Sequence, residues 1–264
     1  MPVGSAVVRL IGVRVCRRLL VIGGTGDAAK LVRLVAGKFG NRLEITTSLA
    51  GRTRFPTPLP CDVRIGGFGG VSGLTRWIIE NGIELVIDAS HPFSAIMSEN
   101  TRAACEATGV RRLVLGRAPW ISQIGDCWHP VKDVVAAARL VPKLGQRPFL
   151  TVGGSDISCF SELGSMRVVV RLIDEPIGLL PLRNYELVLG RGPFELVQEE
   201  SLLIKHKIDV VVAKNGGGRA TYAKIEAARN AQIPVIMIER PPEVKGERVE
   251  QLSCAVSWIE KRLK

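Results

Sequence analysis

A chain of 264 residues with 46% hydrophobic content is long enough to bury one large core or two small ones. Its formal net charge of +11 implies an anionic partner, but aromatic residues are only 5% and the arginines are scattered, so the stacking platform and basic stripe of a nucleic-acid binder are missing. No transmembrane segment is visible and no membrane partner is expected. The six cysteines (Cys16, Cys61, Cys105, Cys127, Cys159, Cys254) form no close pair, and His91, His129 and His206 share no ligand spacing, so no metal site is expected and the cysteines read as buried thiols of a reducing compartment, the cytoplasm.

Residues 1–17 are apolar but interrupted by Arg9 and Arg14 and lack a clear cleavage site, which fits a disordered leader or a mistaken start better than a secretory signal. Leu19 to Ile22 is an apolar run too short for a free helix and suits a strand covered on both faces. Gly23, Gly24 and Gly26 follow, and then Ala28, Ala29, Leu31, Val32, Leu34 and Val35 recur at helical spacing, with Asp27 in the first turn. A strand passing through such a turn into a helix can seat a phosphate, with Gly24 and Thr25 facing it.

Leu43 to Thr47 reads as the next strand and ends in Ser48-Leu-Ala-Gly-Arg52. Dinucleotide-binding halves carry a carboxylate in this region when they hold NAD and an arginine when they accept the extra phosphate of NADP. Ser48 and Arg52 stand there without a carboxylate, which points to NADP. A third strand, Asp62 to Ile65, runs into Gly66-Gly67-Phe68-Gly69-Gly70, a loop that lets backbone approach a ligand and can set Phe68 against a flat ring or return it to the core. Glu84 to Asp88 ends in Ala89-Ser90-His91-Pro92-Phe93, followed by a helix over 95–108 and a strand over 111–115. All these polar strand ends fall on the edge where parallel sheets bind ligands.

Ile121 to Pro130 has no period and reads as the boundary between a unit over 18–120 and a second over 131–264. The βα alternation then resumes, with strands at 148–152, 168–173, 185–189, 209–213 and 234–238. The fold class is therefore α/β, two Rossmann-like domains with mostly parallel sheets and an interdomain cleft. Lys214 and Asn215 are the main candidates at the second unit's strand ends, with Arg191, Ser155 and Asp156 behind them. The glycines after Lys214 do not make a P-loop, which needs Gly-Lys followed by Ser or Thr. Tyr222 and Lys224, on their own, read as packing and solvation.

Gly23-Gly24-Thr25-Gly26, Ser48 to Arg52, Gly66 to Gly70, Asp88 to Phe93, Lys214-Asn215 and Thr221 to Ala227, taken in this order, resemble the precorrin-6A reductase family of cobalamin biosynthesis. The resemblance runs from about Leu19 to the C-terminus. It implies NADPH as reductant and hydride transfer to a macrocycle double bond of precorrin-6A, giving precorrin-6B, with an anionic tetrapyrrole-derived substrate as the partner. It assigns the cofactor to Gly23, Gly24, Thr25, Ser48, Arg52, Gly67, Phe68, Asp88 and Ser90. The substrate falls to His91, Arg191, Lys214, Asn215 and Tyr222, with His91 or Lys214 as candidate proton donors. The cobalt-precorrin-6A reductase of the anaerobic pathway and a non-catalytic NADP-binding sensor are the rival readings, and oligomeric state is left open. Three departures touch individual substrate contacts: Gly216 where serine is expected, Ser90 where threonine is usual, and Thr151-Val-Gly-Gly-Ser155 in place of a Thr-Gly-Arg-like turn.

Overall fold

A computed structural model of the chain describes residues 16–51 and 53–263; the leader up to residue 15 and Arg52 lie outside the described residues. In the first unit the strands are β1 (Arg17–Ile22), β2 (Leu43–Leu49), β3 (Asp62–Ile65), β4 (Leu85–Asp88) and β5 (Arg111–Leu115), joined through α1 (Gly26–Phe39), α2 (Gly70–Glu80) and α3 (Ala95–Thr108). Alternate residues of β1 explain its unbroken apolar run. Leu19 and Val21 enter a core shared with α1, while Leu20 and Ile22 enter one on the opposite face with Leu74, Ile78 and Ala104 of α2 and α3. Each such fully buried side chain contributes about 1.5–3 kcal/mol, and the two faces together make β1 the centre of the sheet.

The second unit has β6 (Trp128–Val131), β7 (Pro148–Thr151), β8 (Val168–Leu172), β9 (Tyr185–Leu189), β10 (Val210–Lys214) and β11 (Val235–Ile238), with α4 (Val134–Leu144), α5 (Leu196–Lys205) and α6 (Ala223–Asn230). Its order is β9-β8-β7-β10-β11-β6 and every pair is parallel. β6 falls in the stretch that shows no period, because a four-residue edge strand containing Pro130 buries too little to impose one. No α-helix joins β7 to β8; Gly154–Leu163 forms 3-10 turns that bury Ile157 and Phe160 instead.

The chain then returns to the first unit. β12 (Arg248–Val249) pairs in parallel with β5, so the first sheet reads β3-β2-β1-β4-β5-β12, the order of a doubly wound dinucleotide fold. α7 (Leu252–Glu260) lays Ala255, Trp258 and Ile259 into the core beside α1, and Lys38 pairs with Glu260 at 2.9 Å. Assigning all of 131–264 to the second unit is thus corrected at its end. A two-residue strand leaves no periodic trace, and an amphipathic helix does not say which sheet it covers.

The cysteine expectation is also corrected. All six are free thiols, but Cys105 alone is buried, Cys16 and Cys61 are half-buried, and Cys127, Cys159 and Cys254 are exposed. Among the described residues no helix is long and apolar enough to cross a membrane, and no three His, Cys, Asp or Glu side chains gather as a metal site.

Candidate active site between the two sheets

The strand order of the first sheet reverses between β1 and β4, the point at which open α/β sheets bind ligands beyond the carboxyl ends of their strands. Gly23 leaves β1 so close to β2 that a Cβ would lie 2.9 Å from Thr47 Cγ2, and its amide donates to Ser48 O at 2.9 Å. Gly24 turns the chain at φ +97°, and the Cβ positions of Gly24 and Gly26 meet no heavy atom within 4 Å. Thr25 caps α1: its Oγ1 accepts from Ala28 N at 3.1 Å and donates to Ala89 O at 2.9 Å. The hydroxyl proton is therefore spent on β4's loop, and the backbone amides of the first helical turn are what this corner offers an anion. Asp27, a carboxylate that would repel such an anion, is turned onto Arg117 at 2.8 Å.

Ser48 is buried at the end of β2, in register with Ile22 on one side and Arg64 on the other. Arg64 went unnoticed in the sequence and organises the next loop. Its Nη1 and Nη2 donate to the carbonyls of Gly66 and Gly67 at 2.5 and 2.7 Å, and its guanidinium lies 3.8 Å from the Phe68 ring centre. Phe68 meets Trp77 edge to face at 5.6 Å and packs against the α2–α3 core, so of its two anticipated roles the structure takes the return to the core. A Cβ on Gly73 would strike Phe68 O at 1.7 Å, which makes the fold of Gly66–Gly70 dependent on that glycine.

Asp88 is 1% exposed and both of its carboxylate oxygens are taken by protein groups. Its Oδ1 accepts from Ser90 N (3.2 Å) and Ser90 Oγ (2.7 Å), and its Oδ2 pairs with Arg112 at 3.3 Å. The expectation of direct cofactor contact is corrected: Asp88 shapes the loop from beneath. Ser90 Oγ further shares a hydrogen bond with Ser98 Oγ at 3.1 Å. His91 Nδ1 accepts from Phe93 N at 3.2 Å, which puts the neutral ring's proton on Nε2. That Nε2 lies 3.6 Å from the Cβ position of Gly216 in the second unit, and Phe93 reaches across to pack on the second core.

Opposite this loop, Lys214 ends β10 with its ammonium paired to Asp156 and 5.1 Å from the Phe93 ring centre. His91, Phe93, Lys214 and Asp156 thus meet where the two sheets' carboxyl ends face each other. Asn215 does not join them. Its Oδ1 accepts from Trp120 N at 2.8 Å and its Nδ2 donates to Trp120 O at 3.0 Å, so the carboxamide is used up holding the crossover between units. This corrects its reading as a substrate ligand. Arg240 completes the brace, donating to Asn215 O (2.8 Å), Arg117 O (2.7 Å) and Ala118 O (3.2 Å), while burial pulls its pKa below the usual arginine value. A Cβ on Gly217 would sit 2.2 Å from Ala118 O, so the glycines after Lys214 exist to let the crossover lie down.

Tyr222 belongs to the same brace: its ring lies 5.6 Å from Trp120 and its hydroxyl accepts from Arg229 at 2.6 Å. Arg191 stands at the other side of the cleft. It is exposed and reaches into the first unit, donating to Phe55 O at 3.1 Å and Thr57 Oγ1 at 3.3 Å. Nearby, Arg54 N donates to Asp174 Oδ2 at 2.8 Å.

Residues 18–260 match the family described as precorrin-6x reductase CbiJ/CobK. The precorrin-6A reductase of Rhodococcus erythropolis is 41% identical over 243 residues, spanning 92% of this chain and 97% of that protein. That of Rhodobacter capsulatus is 42% identical over 242 residues, spanning 92% and 95%. Among solved structures, CobK precorrin-6A reductase superposes with a TM-score of 0.87 at 41% identity, covering 93% of this chain and 96% of the other.

Proposed function

The chain belongs to the precorrin-6x reductase CbiJ/CobK family, a family of cobalamin-biosynthesis reductases, and from that premise we propose that it reduces precorrin-6A to precorrin-6B with NADPH, in the cytoplasm. One observation carries the cofactor half of the reading. The turn at the β1–β4 reversal is a cradle: Gly24 is left-handed, Gly24 and Gly26 face open space, and α1 directs its first amides outward. These features fit a pyrophosphate. Ser48 and Arg52 then recognise the adenosine phosphate, and Gly67 and Ser90 line the run toward the reacting end.

NADPH, when bound, supplies the hydride. The protein's share is to bind, orient and exclude water. The net charge of +11 draws a polycarboxylate macrocycle toward the cleft, and Arg191 and Lys214 hold its carboxylates from the second unit. Reduction of a conjugated imine-like system also takes a proton. His91, whose Nε2 lies 3.6 Å from the Cβ position of Gly216, and Lys214, whose ammonium pairs with Asp156, are the candidate donors.

An anaerobic assay following NADPH absorbance with metal-free and with cobalt-loaded precorrin-6A tests this directly. We expect turnover with the metal-free substrate, and a KM for NADPH that rises far more than that for NADH on Arg52→Ala. NADPH binding without turnover of either macrocycle would leave the sensor reading standing. Turnover of the cobalt form alone would move the enzyme to the anaerobic pathway.

A further inference from the structure

β8 is buried along its whole length, and within Val168-Val-Val-Arg171-Leu172 one position is charged. Arg171 pairs with Glu199 of α5 at 2.8 and 3.1 Å, and the two side chains are 8% and 1% exposed. Burying such a pair gains little stability, because the desolvation of both ions offsets their attraction, so its presence asks for a geometric reason. The Arg171 guanidinium lies 4.1 Å from the Phe194 ring centre and 4.8 Å from that of Phe149, and its Nε has no hydrogen-bond partner. The group is thus arranged for stacking at the expense of one donor.

Phe194 is the post around which the β9–α5 loop is wound. A Cβ on Gly190 would come 3.1 Å from Phe194 Cε1, one on Gly192 would come 3.5 Å from its ring and 2.8 Å from Ala220 O, and Phe194 N donates to Ala220 O at 3.1 Å. Arg191 lies between those two glycines, so its backbone direction is set by how they pass the ring. Its side chain then spans to Phe55 O and Thr57 Oγ1, on the loop that follows β2.

We infer that Arg171, held by Glu199, is a positioning residue: through Phe194 it aims Arg191 across the cleft and so governs how firmly the two rims close on an anionic substrate. The substrate half of this inference rests on the proposed function; the aiming of Arg191 does not.

Amide hydrogen exchange and kinetics on Arg171→Met, Arg191→Ala and the double variant test it. Arg171→Met should speed exchange by roughly fivefold or more at residues 190–195 and also at Arg54, Phe55 and Thr57, and should raise the KM for precorrin-6A by a similar factor with kcat within about twofold. Arg191→Ala should speed exchange at Arg54, Phe55 and Thr57 but leave 190–195 as in the wild type. The double variant should go no further at the 54–57 segment than either single one. Wild-type exchange at 54–57 in Arg171→Met, or additive effects in the double variant, would overturn the inference. If Arg171→Met does not fold, Phe194→Leu removes the same post and should reproduce the pattern. A wild-type enzyme that turns over no macrocycle would defeat the proposed function while the exchange pattern still decides the aiming of Arg191.

Discussion

Asn215 holds both backbone polar groups of Trp120, accepting from its N at 2.8 Å and donating to its O at 3.0 Å, so one side chain fixes the point where the chain leaves the first sheet for the second. A carboxamide suits this task, since it carries a donor and an acceptor side by side on a single planar head. Replacing it strands a half-buried amide and carbonyl together. Asn215→Ala should therefore cost about 1–3 kcal/mol in urea denaturation, whereas Asn215→Asp keeps the acceptor but sets a carboxylate against Trp120 O and should be no better. A loss of substrate affinity with unchanged stability would instead make Asn215 a ligand.

The glycine turn gives a second prediction in which two neighbours fail for different reasons. Gly23→Ala brings a methyl to 2.9 Å from Thr47 Cγ2 and forces β1 and β2 apart, while Gly24→Ala meets nothing but holds an L-residue at φ +97°. The second should cost about 1–2 kcal/mol of backbone strain. Both should weaken NADPH in fluorescence titration, and only the first should disturb β1–β2 pairing in amide exchange.

Much of this architecture can be read in the sequence. The strands at 62–65, 111–115 and 185–189 and the helix at 95–108 have the bounds that periodicity and glycine punctuation imply. β12 cannot be read, because two residues have no period and the Arg248–Val114 pairing joins residues 134 positions apart. The site is harder still. A polar residue at a strand's carboxyl end looks the same whether it binds a ligand or braces a loop, and only the partners of Asp88 and Asn215 separate the two. Arg64 cannot be read from the sequence either, because its role depends on folding back onto carbonyls two and three residues ahead, inside a glycine-rich loop.

Thiol chemistry supplies a third test. Burial pushes the Cys105 thiol up to about 12, while Cys127, Cys159 and Cys254 are exposed. Alkylation of the folded protein near neutral pH, read by peptide mass spectrometry, should label those three and leave Cys105 intact until denaturant is added. Labelling of Cys105 at the same rate would mean that α3 opens locally.

Lys224 gives the prediction with a definite pH sign. It is 6% exposed, and burial lowers its pKa from 10.5 to about 8, against the raising influence of Glu199; Nζ donates to Thr221 O at 2.8 Å. Below pH 8 folded and unfolded states both hold the proton, so the cost of burying the ammonium is present in full. Between about 8 and 10.5 the folded state releases the proton while the unfolded state keeps it, and stability rises with pH by about 1.4 kcal/mol per unit from this group. Lys224→Met has no such group and loses the Thr221 hydrogen bond at every pH. The stability of the wild type minus that of Lys224→Met, measured in urea, should therefore be flat below pH 8 and climb above it. A flat difference across the whole range would mean that the ammonium reaches water in the folded protein, and a falling one would mean that Glu199 outweighs burial and holds the charge in place.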